Sequence, residues 1–474
     1  MKIKTLSLIL LLLGAASAAD AQSYKMVFKL NGSTDSVLYI ARHFRDQLQI
    51  QDSARRANDG SYTFQGKKKW DRGIYALVHQ NREKSLGDFA IDDSRQFTIT
   101  ADANLTASSV KVSGSDANSL MFSYVAKWDD AKKRRADIGK RKKEAATKEQ
   151  AEKEEQALLD EMEAYDKVAR HPQKSILFFD LLNLFEDTPV PDEVEDKARY
   201  FRTHYWDCLS RIQKSEFKIQ DLIYTPNLFS KVNYFFFGLL YYADSDTISL
   251  EIDRLVSRIG NDTTLLRYVF DHIEPRYYRS TRNIGWDAVW CHLAEEYYLK
   301  GRCPWASEGT LYNMNYNYKR IRQSLIGAHG QELWMADTNQ STNPSDWISS
   351  HRFPQKYVIL WFWDPDCHHC QEQSAELKTL YDSLLTTPNR PFEVYAVGYE
   401  SDIAKWKKYV REHDFRWVNV GGPNVNIDYQ EAYNIHGAPT MIILNEKRDI
   451  IMNKVLPIKS LLPFLDNYEK RVKE

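Results

Sequence analysis

The chain has no surplus of either charge, few cysteines, and no long apolar run beyond its first residues. Its 474 residues carry 64 Lys and Arg against 65 Asp and Glu. That balance argues against nucleic acid as a partner, because a nucleic-acid binder shows a basic excess. The longest later apolar run, YFFFGLLYY from Tyr234 to Tyr242, is about nine residues, whereas a membrane-spanning helix needs roughly 20. It suits a buried helix. Of the five cysteines, Cys208, Cys291 and Cys303 cannot all pair among themselves. Cys291 lies well inside a helical pattern running to about Leu299, which leaves a short return to Cys303. A bridge between those two is open, and buried thiols are the default. The other two cysteines stand three residues apart in WFWDPDCHHC, Trp361 to Cys370.

The N-terminal residues suggest a compartment. Lys2 and Lys4 precede an apolar segment from Leu6 to Leu13, followed by small residues at Ala16-Ser17-Ala18 and Ala19-Asp20-Ala21. This pattern predicts a secretory signal peptide over 1–21, cleaved after Ala21 or Ala18. The apolar segment is too short for an anchor, and no cysteine marks a lipidation site. The expectation is an exported, periplasmic protein, soluble or peripherally associated with an envelope membrane.

The remainder should hold two to four domains, at about 100–200 residues each. Over 22–115, short apolar–polar alternations (YKMVFKLNGS, DSVLYIARHF, RGIYALVHQ, RQFTITAD) with turns at Asn31-Gly32 and Asp59-Gly60 predict an antiparallel β module. Over 116–310 the apolar spacing becomes helical, with Pro172, Pro226, Pro275 and Gly301 marking helix ends, which predicts an all-helical domain. Within it, the charged run Lys132 to Gln156, basic then acidic, predicts a long solvated helix. Over 311–474, strand and helix patterns alternate and end in an antiparallel pair (TMIILNE, DIIMNKV) and a helix, an α/β order. The fold class expected is multidomain α+β.

In that last region KYVILWFW is a strand and CHHCQEQSAELKTLYDSLL a helix, so Cys367 stands at their junction. The free amides and dipole of a helix N-terminus favour a thiolate there. Cys370, one turn on, lies on the same face within bridging reach. A metal site fits less well, since Cys367, His368, His369 and Cys370 crowd one turn and cannot wrap a tetrahedral ion. A purely structural bridge over so short a loop would constrain the unfolded chain little. CxxC beside such a pattern favours a redox dithiol. Further along, YNIHGAPTMIILN sets Pro439 just before a strand, where a cis peptide would make a tight turn.

Together these stretches resemble the thioredoxin superfamily, and over about Asn317 to Glu474 the chain is similar to TlpA/ResA-like exported thiol–disulfide oxidoreductases. The upstream zones look like the β-rich and helical modules of unknown function found ahead of such domains. The resemblance implies that Cys367 is the attacking thiolate and Cys370 the buried resolving thiol. It implies a substrate groove shaped by Pro439, the Ala438 backbone and Trp363, which would pack below the active-site loop. It departs from thioredoxin at Asp366, where tryptophan is usual, and at Trp361, where a buried acid is usual. Asp364, Asp366, Glu400 and His436 are then candidates for proton transfer. His368, His369 and Asp366 are expected to tune the dithiol: a protonated His369 would favour the thiolate, as in DsbA-like sites, and Asp366 would oppose it. Oxidant and reductant directions are both open.

The function expected is disulfide exchange with protein thiols and disulfides, needing no cofactor or metal, with a membrane or soluble redox partner to reset the dithiol. The alternative is a binding or scaffold protein whose β and helical domains recognise a partner. A thiol peroxidase would want a threonine in the cysteine pocket, and DPDCHHC offers none.

Overall fold

In a computed structural model of the chain, the described residues are 23–473 apart from 83–84, 93, 145–146, 170–175, 185–188, 213–218, 280–282, 388 and 400–401. The signal-peptide segment, Pro172 and Glu400 lie outside them. The chain divides into two compact units, one of Met1–Tyr241 with Arg254–Tyr268, the other of Tyr242–Asp253 with Val269–Glu474.

In the first unit, β1 (Ser23–Asn31), β2 (Val37–Phe44), β3 (Gln47–Arg55), β4 (Ser61–Lys67), β5 (Gly73–Val78), β6 (Ser85–Ile91), β7 (Gln96–Asp102) and β8 (Lys111–Ser113) form two four-stranded sheets. Their orders are β4-β1-β7-β8 and β3-β2-β5-β6. The expected β module is there, with one departure from an antiparallel design: β1 and β7 run parallel. The Asn31-Gly32 turn carries the chain from one sheet into the other instead of closing a hairpin, with Gly32 at φ 84°. Alternate residues of β1 (Tyr24, Met26, Phe28 and Leu30) are buried and share a core with Phe64, Phe89 and Phe97. That is the period-two pattern of a strand with one covered face.

The helices that follow are α1 (Asp116–Arg141), α2 (Lys148–Ala169), α3 (Ile176–Leu184), α4 (Lys197–His204), α5 (Asp207–Ile212), α6 (Pro226–Tyr234), α7 (Ser245–Ile259), α8 (Thr263–Tyr278), α9 (Trp286–Leu293) and α10 (Glu308–Gln323). The charged run is not one helix. It folds back between α1 and α2, so its basic half faces its acidic half: Arg135 meets Glu155 at 3.4 Å, Arg141 meets Glu154 at 2.5 Å, and Lys142 meets Glu155 at 2.5 Å; just beyond the run, Glu161 meets Arg134 at 2.8 Å. Ala131, Ile138, Leu158 and Met162 form a small buried cluster in the same hairpin. Pro226 starts α6 as expected, whereas Pro275 lies inside α8, not at its end. Cys291 and Cys303 are buried free thiols, and Cys208 is a buried thiol.

In the second unit, β9 (Trp334–Asp337), β10 (Ile348–Ser349), β11 (Tyr357–Trp363), β12 (Phe392–Gly398), β13 (Val418–Val425), β14 (Thr440–Leu444) and β15 (Ile450–Met452) form one seven-stranded sheet ordered β10-β9-β13-β12-β11-β14-β15. Around it lie α11 (His368–Leu384), α12 (Ile403–Glu412), α13 (Tyr429–Ala432) and α14 (Leu461–Lys473). β11 pairs parallel with β12 and antiparallel with β14. Every residue of β11 is buried. Tyr357, Ile359, Trp361 and Trp363 join a core with α11 and α12, and Val358, Leu360 and Phe362 join a second core with Tyr433 and Ile435. A strand covered on both faces has no polar side, which explains the unbroken run YVILWFW. The end of such a strand is a rigid place to hang a loop.

Candidate active site

From Trp363 the chain leaves the sheet through Asp364-Pro365-Asp366 and enters α11 at Cys367. Short bonds hold this turn: the Asp364 carbonyl accepts from the Cys367 amide at 3.1 Å, and its carboxylate accepts from the Asp366 amide at 2.6 Å. The Gln371 side chain donates to the Pro365 carbonyl at 2.7 Å. Cys367 is the N-cap, in extended backbone, and its Sγ accepts from the Cys370 amide at 3.3 Å. The sulfur thus satisfies one of the amides that a helix start leaves without a partner.

The two thiols differ sharply in environment. Cys367 is half-buried, whereas Cys370 has no exposed surface. Burial, and then the contact with Cys367, pushes the Cys370 thiol up to about 12. Facing them, the Ala438–Pro439 peptide is cis, and the Cys367 thiol lies 3.7 Å from the Ala438 carbonyl. Ala438 and Pro439 are both half-buried, so their backbone borders the accessible sulfur.

The remaining expected residues are placed differently. Trp363 is fully buried against Tyr409 and Phe415 and lines no groove, because β11 is covered on both faces. His368 and His369 are about four-fifths exposed, and both rings turn to Glu372, at 3.2 and 3.4 Å. Asp366 is exposed and ion-paired with Lys405 of α12. The three residues expected to tune the dithiol therefore direct their polar groups at other side chains, in surroundings that water screens. Trp361, at the position of thioredoxin's acid, donates from Nε1 to the buried Ser374 Oγ at 2.9 Å. His436 is exposed, and partial desolvation and the Arg320 guanidinium lower its pKa.

Two residues of this neighbourhood escaped the sequence reading. Lys405 carries no local signal, since only the fold brings α12 to Asp366. Ser374 could have been found: it is four residues past Cys370, on the same helix face, and a small polar residue there suits a buried indole donor.

Residues 355–450 match the family model described as Thioredoxin-like. Among solved structures, the chain is similar to a domain of a possible thiol-disulfide isomerase from Cytophaga hutchinsonii, at 30% identity, covering 31% of this chain and 96% of that one, with TM-score 0.27. It is similar to a thioredoxin-like protein from Bacteroides caccae at 17% identity, covering 60% and 98%, with TM-score 0.47. It is also similar to the thioredoxin domain of a thiol-disulfide oxidoreductase from Bacteroides vulgatus, at 22% identity, covering 30% and 96%, with TM-score 0.26. A comparison with curated proteins gave no match. The strand–loop–helix junction with its two cysteines, the cis-proline loop facing it and the matched family model lead to one identification: the C-terminal part of this chain is a domain of the thioredoxin-like family.

Proposed function

We propose that residues 311–474 form the catalytic module of an exported, TlpA/ResA-like thiol–disulfide oxidoreductase acting on protein substrates through Cys367 and Cys370. The observation that carries the reading is the Cys367 sulfur, half-exposed at a helix start, bonded to the Cys370 amide and set beside the Ala438 carbonyl. The Cys367 thiolate attacks a substrate disulfide, and one substrate sulfur leaves with the electron pair. Cys370 then gives up its proton, attacks Cys367, and releases the second substrate sulfur as a thiol. The substrate disulfide is reduced by two electrons and the Cys367–Cys370 pair is oxidised by two; substrate oxidation is the reverse. A membrane or soluble redox partner resets the pair.

The test is the reduction potential of the full chain equilibrated in glutathione buffers, with Cys367→Ser as the blank for the other thiols. A value of about −120 to −180 mV makes it an oxidant or isomerase, and about −270 mV or lower a reductant. If no disulfide forms between Cys367 and Cys370 at any ratio, the exchange reading is wrong and the binding or scaffold reading replaces it. A Cys370→Ser chain is expected to accumulate a mixed disulfide with its substrate through Cys367.

A further inference from the structure

The cis-proline loop has a neighbour outside the matched family segment. Residues 355–450 match the Thioredoxin-like model, and α10 lies ahead of them in the chain. Yet the end of α10 is bonded to the base of the loop. The Arg320 guanidinium donates to the Gln430 carbonyl at 3.4 Å, and the Ile435 amide donates to the same oxygen at 2.9 Å. Ile435 is three residues ahead of Ala438, whose carbonyl lies 3.7 Å from the Cys367 sulfur. The Tyr316 hydroxyl donates to the Glu431 carboxylate at 3.0 Å, and Arg320 pairs with that carboxylate at 3.4 Å.

We infer that Tyr312 and Tyr316 of α10 form an aromatic shelf that extends the exchange site and selects an extended polypeptide with a large apolar or aromatic residue near its disulfide cysteine. The inference rests on the exchange function proposed above and names its substrate class. Tyr312, Tyr316 and Arg320 follow one another at four-residue spacing, which sets them along one helix face, flanked by Asn315 and Lys319. Arg320 anchors that line at the loop, and Tyr312 stands roughly 12 Å further along the axis, at 1.5 Å per residue. Tyr312 is 72% exposed and Tyr316 45%. Arg320 stacks over the Tyr316 ring, 5.4 Å from its centroid, and holds it in place.

Charge narrows the occupant. Arg320 and Glu431 offset each other, and a tyrosine stays uncharged below about pH 10. Desolvation and then the Arg320 guanidinium lower the pKa of His436, between the shelf and Ala438, so its imidazole is neutral near pH 7. Such a surface suits an apolar side chain laid against aromatic rings. The occupant must also present a sulfur to Cys367, as a polypeptide crossing the Ala438 backbone does. An extended segment rises about 3.3 Å per residue, so its apolar residue reaches the shelf about three to seven positions from the reacting cysteine.

The experiment uses the full reduced chain and Gly/Ser peptides whose single cysteine is joined by a disulfide to 2-nitro-5-thiobenzoate. Cys367 attacks the peptide sulfur, and the coloured thiobenzoate leaves with the electron pair. Cys370 then gives up its proton, attacks Cys367 and releases the peptide thiol. One peptide has no aromatic residue; the others carry one Phe, placed in turn about three to seven positions to either side of the cysteine. The best Phe peptide is expected to react about tenfold faster than the plain one at low concentration, through a lower half-saturating concentration. Tyr312→Ala should reduce that ratio to about threefold or less, and Tyr312→Phe should keep it, which a general effect on folding would not produce. Equal rates for all peptides in the parent, or a ratio unchanged in Tyr312→Ala, overturn the shelf and leave exchange standing. A parent dimer that Tyr312→Ala dissociates, seen by sedimentation, makes a second copy of the chain the occupant and also overturns it. If no peptide reacts at all, the exchange function itself is wrong and the shelf falls with it.

Discussion

Cys370 and the two histidines before it show how far burial outweighs sequence proximity. His369 is adjacent to Cys370 in the chain, yet its ring is exposed and directed at Glu372. A screened, exposed charge shifts a neighbouring equilibrium weakly. We expect His369→Ala to move the reduction potential of the pair by less than about 15 mV, roughly a threefold change in equilibrium constant. A shift like that separating DsbA from thioredoxin, about 150 mV, would show that the imidazole acts on the sulfur after all. At Trp363 the lesson is packing: a side chain with no exposed surface cannot select a substrate, and its contribution is to hold the strand end against Tyr409 and Phe415.

At the scale of elements, α11 begins on a cysteine that does two jobs. Its sulfur is both the proposed nucleophile and the cap of the helix. A serine hydroxyl caps a helix well. Cys367→Ser is therefore expected to abolish exchange while leaving the thermal midpoint unchanged or raised, by calorimetry; a large fall would mean that the thiol stabilises the helix start in some other way. The α1–α2 hairpin poses the reverse question, since its charges are conspicuous and its core is small. Exposed ion pairs contribute little, so Arg134→Gln should barely alter hydrogen exchange of the hairpin amides. Leu158, almost wholly buried in the small cluster between the helices, is the stronger contributor. Leu158→Ala should cost about 2–3 kcal/mol of local protection. If the two substitutions rank the other way, the ladder of charges and not the apolar seam holds the hairpin.

Across the whole molecule, burial makes stability depend on alkaline pH. Cys291, Cys303 and Cys370 are each pushed from an ordinary value of 9.0 up to about 12, chiefly by burial. Above pH 9 the unfolded chain releases three protons that the folded chain retains. Stability is therefore full below that pH and falls as pH rises towards the folded values. The thermal midpoint of the reduced protein should begin to drop between pH 8 and 9, where the thiols of the unfolded chain titrate ahead of its tyrosines, and Cys291→Ala should make that early drop shallower. A midpoint that stays flat over that interval would mean that these thiols meet water in the folded state.

What the sequence determined by itself is what local chemistry controls. Strands and helices followed from apolar spacing, as in YVILWFW and the helix after it. The proposal of a redox dithiol starts from two cysteines at a strand–helix junction, and the loop opposite them followed from a proline before a strand. The tertiary structure alone decided which charges and faces meet. A run from Lys132 to Gln156 carries the same i,i+4 pattern whether it stays straight or folds back, so only packing on Leu158 and Met162 shows that it turns. The parallel partnership of β1 and β7 joins residues about seventy positions apart and leaves no local trace. Asp366 reads as a charge beside the nucleophile until α12 brings Lys405 to it. Local periodicity reports how a segment meets solvent, and it holds no information about which distant segment supplies the other side of the contact.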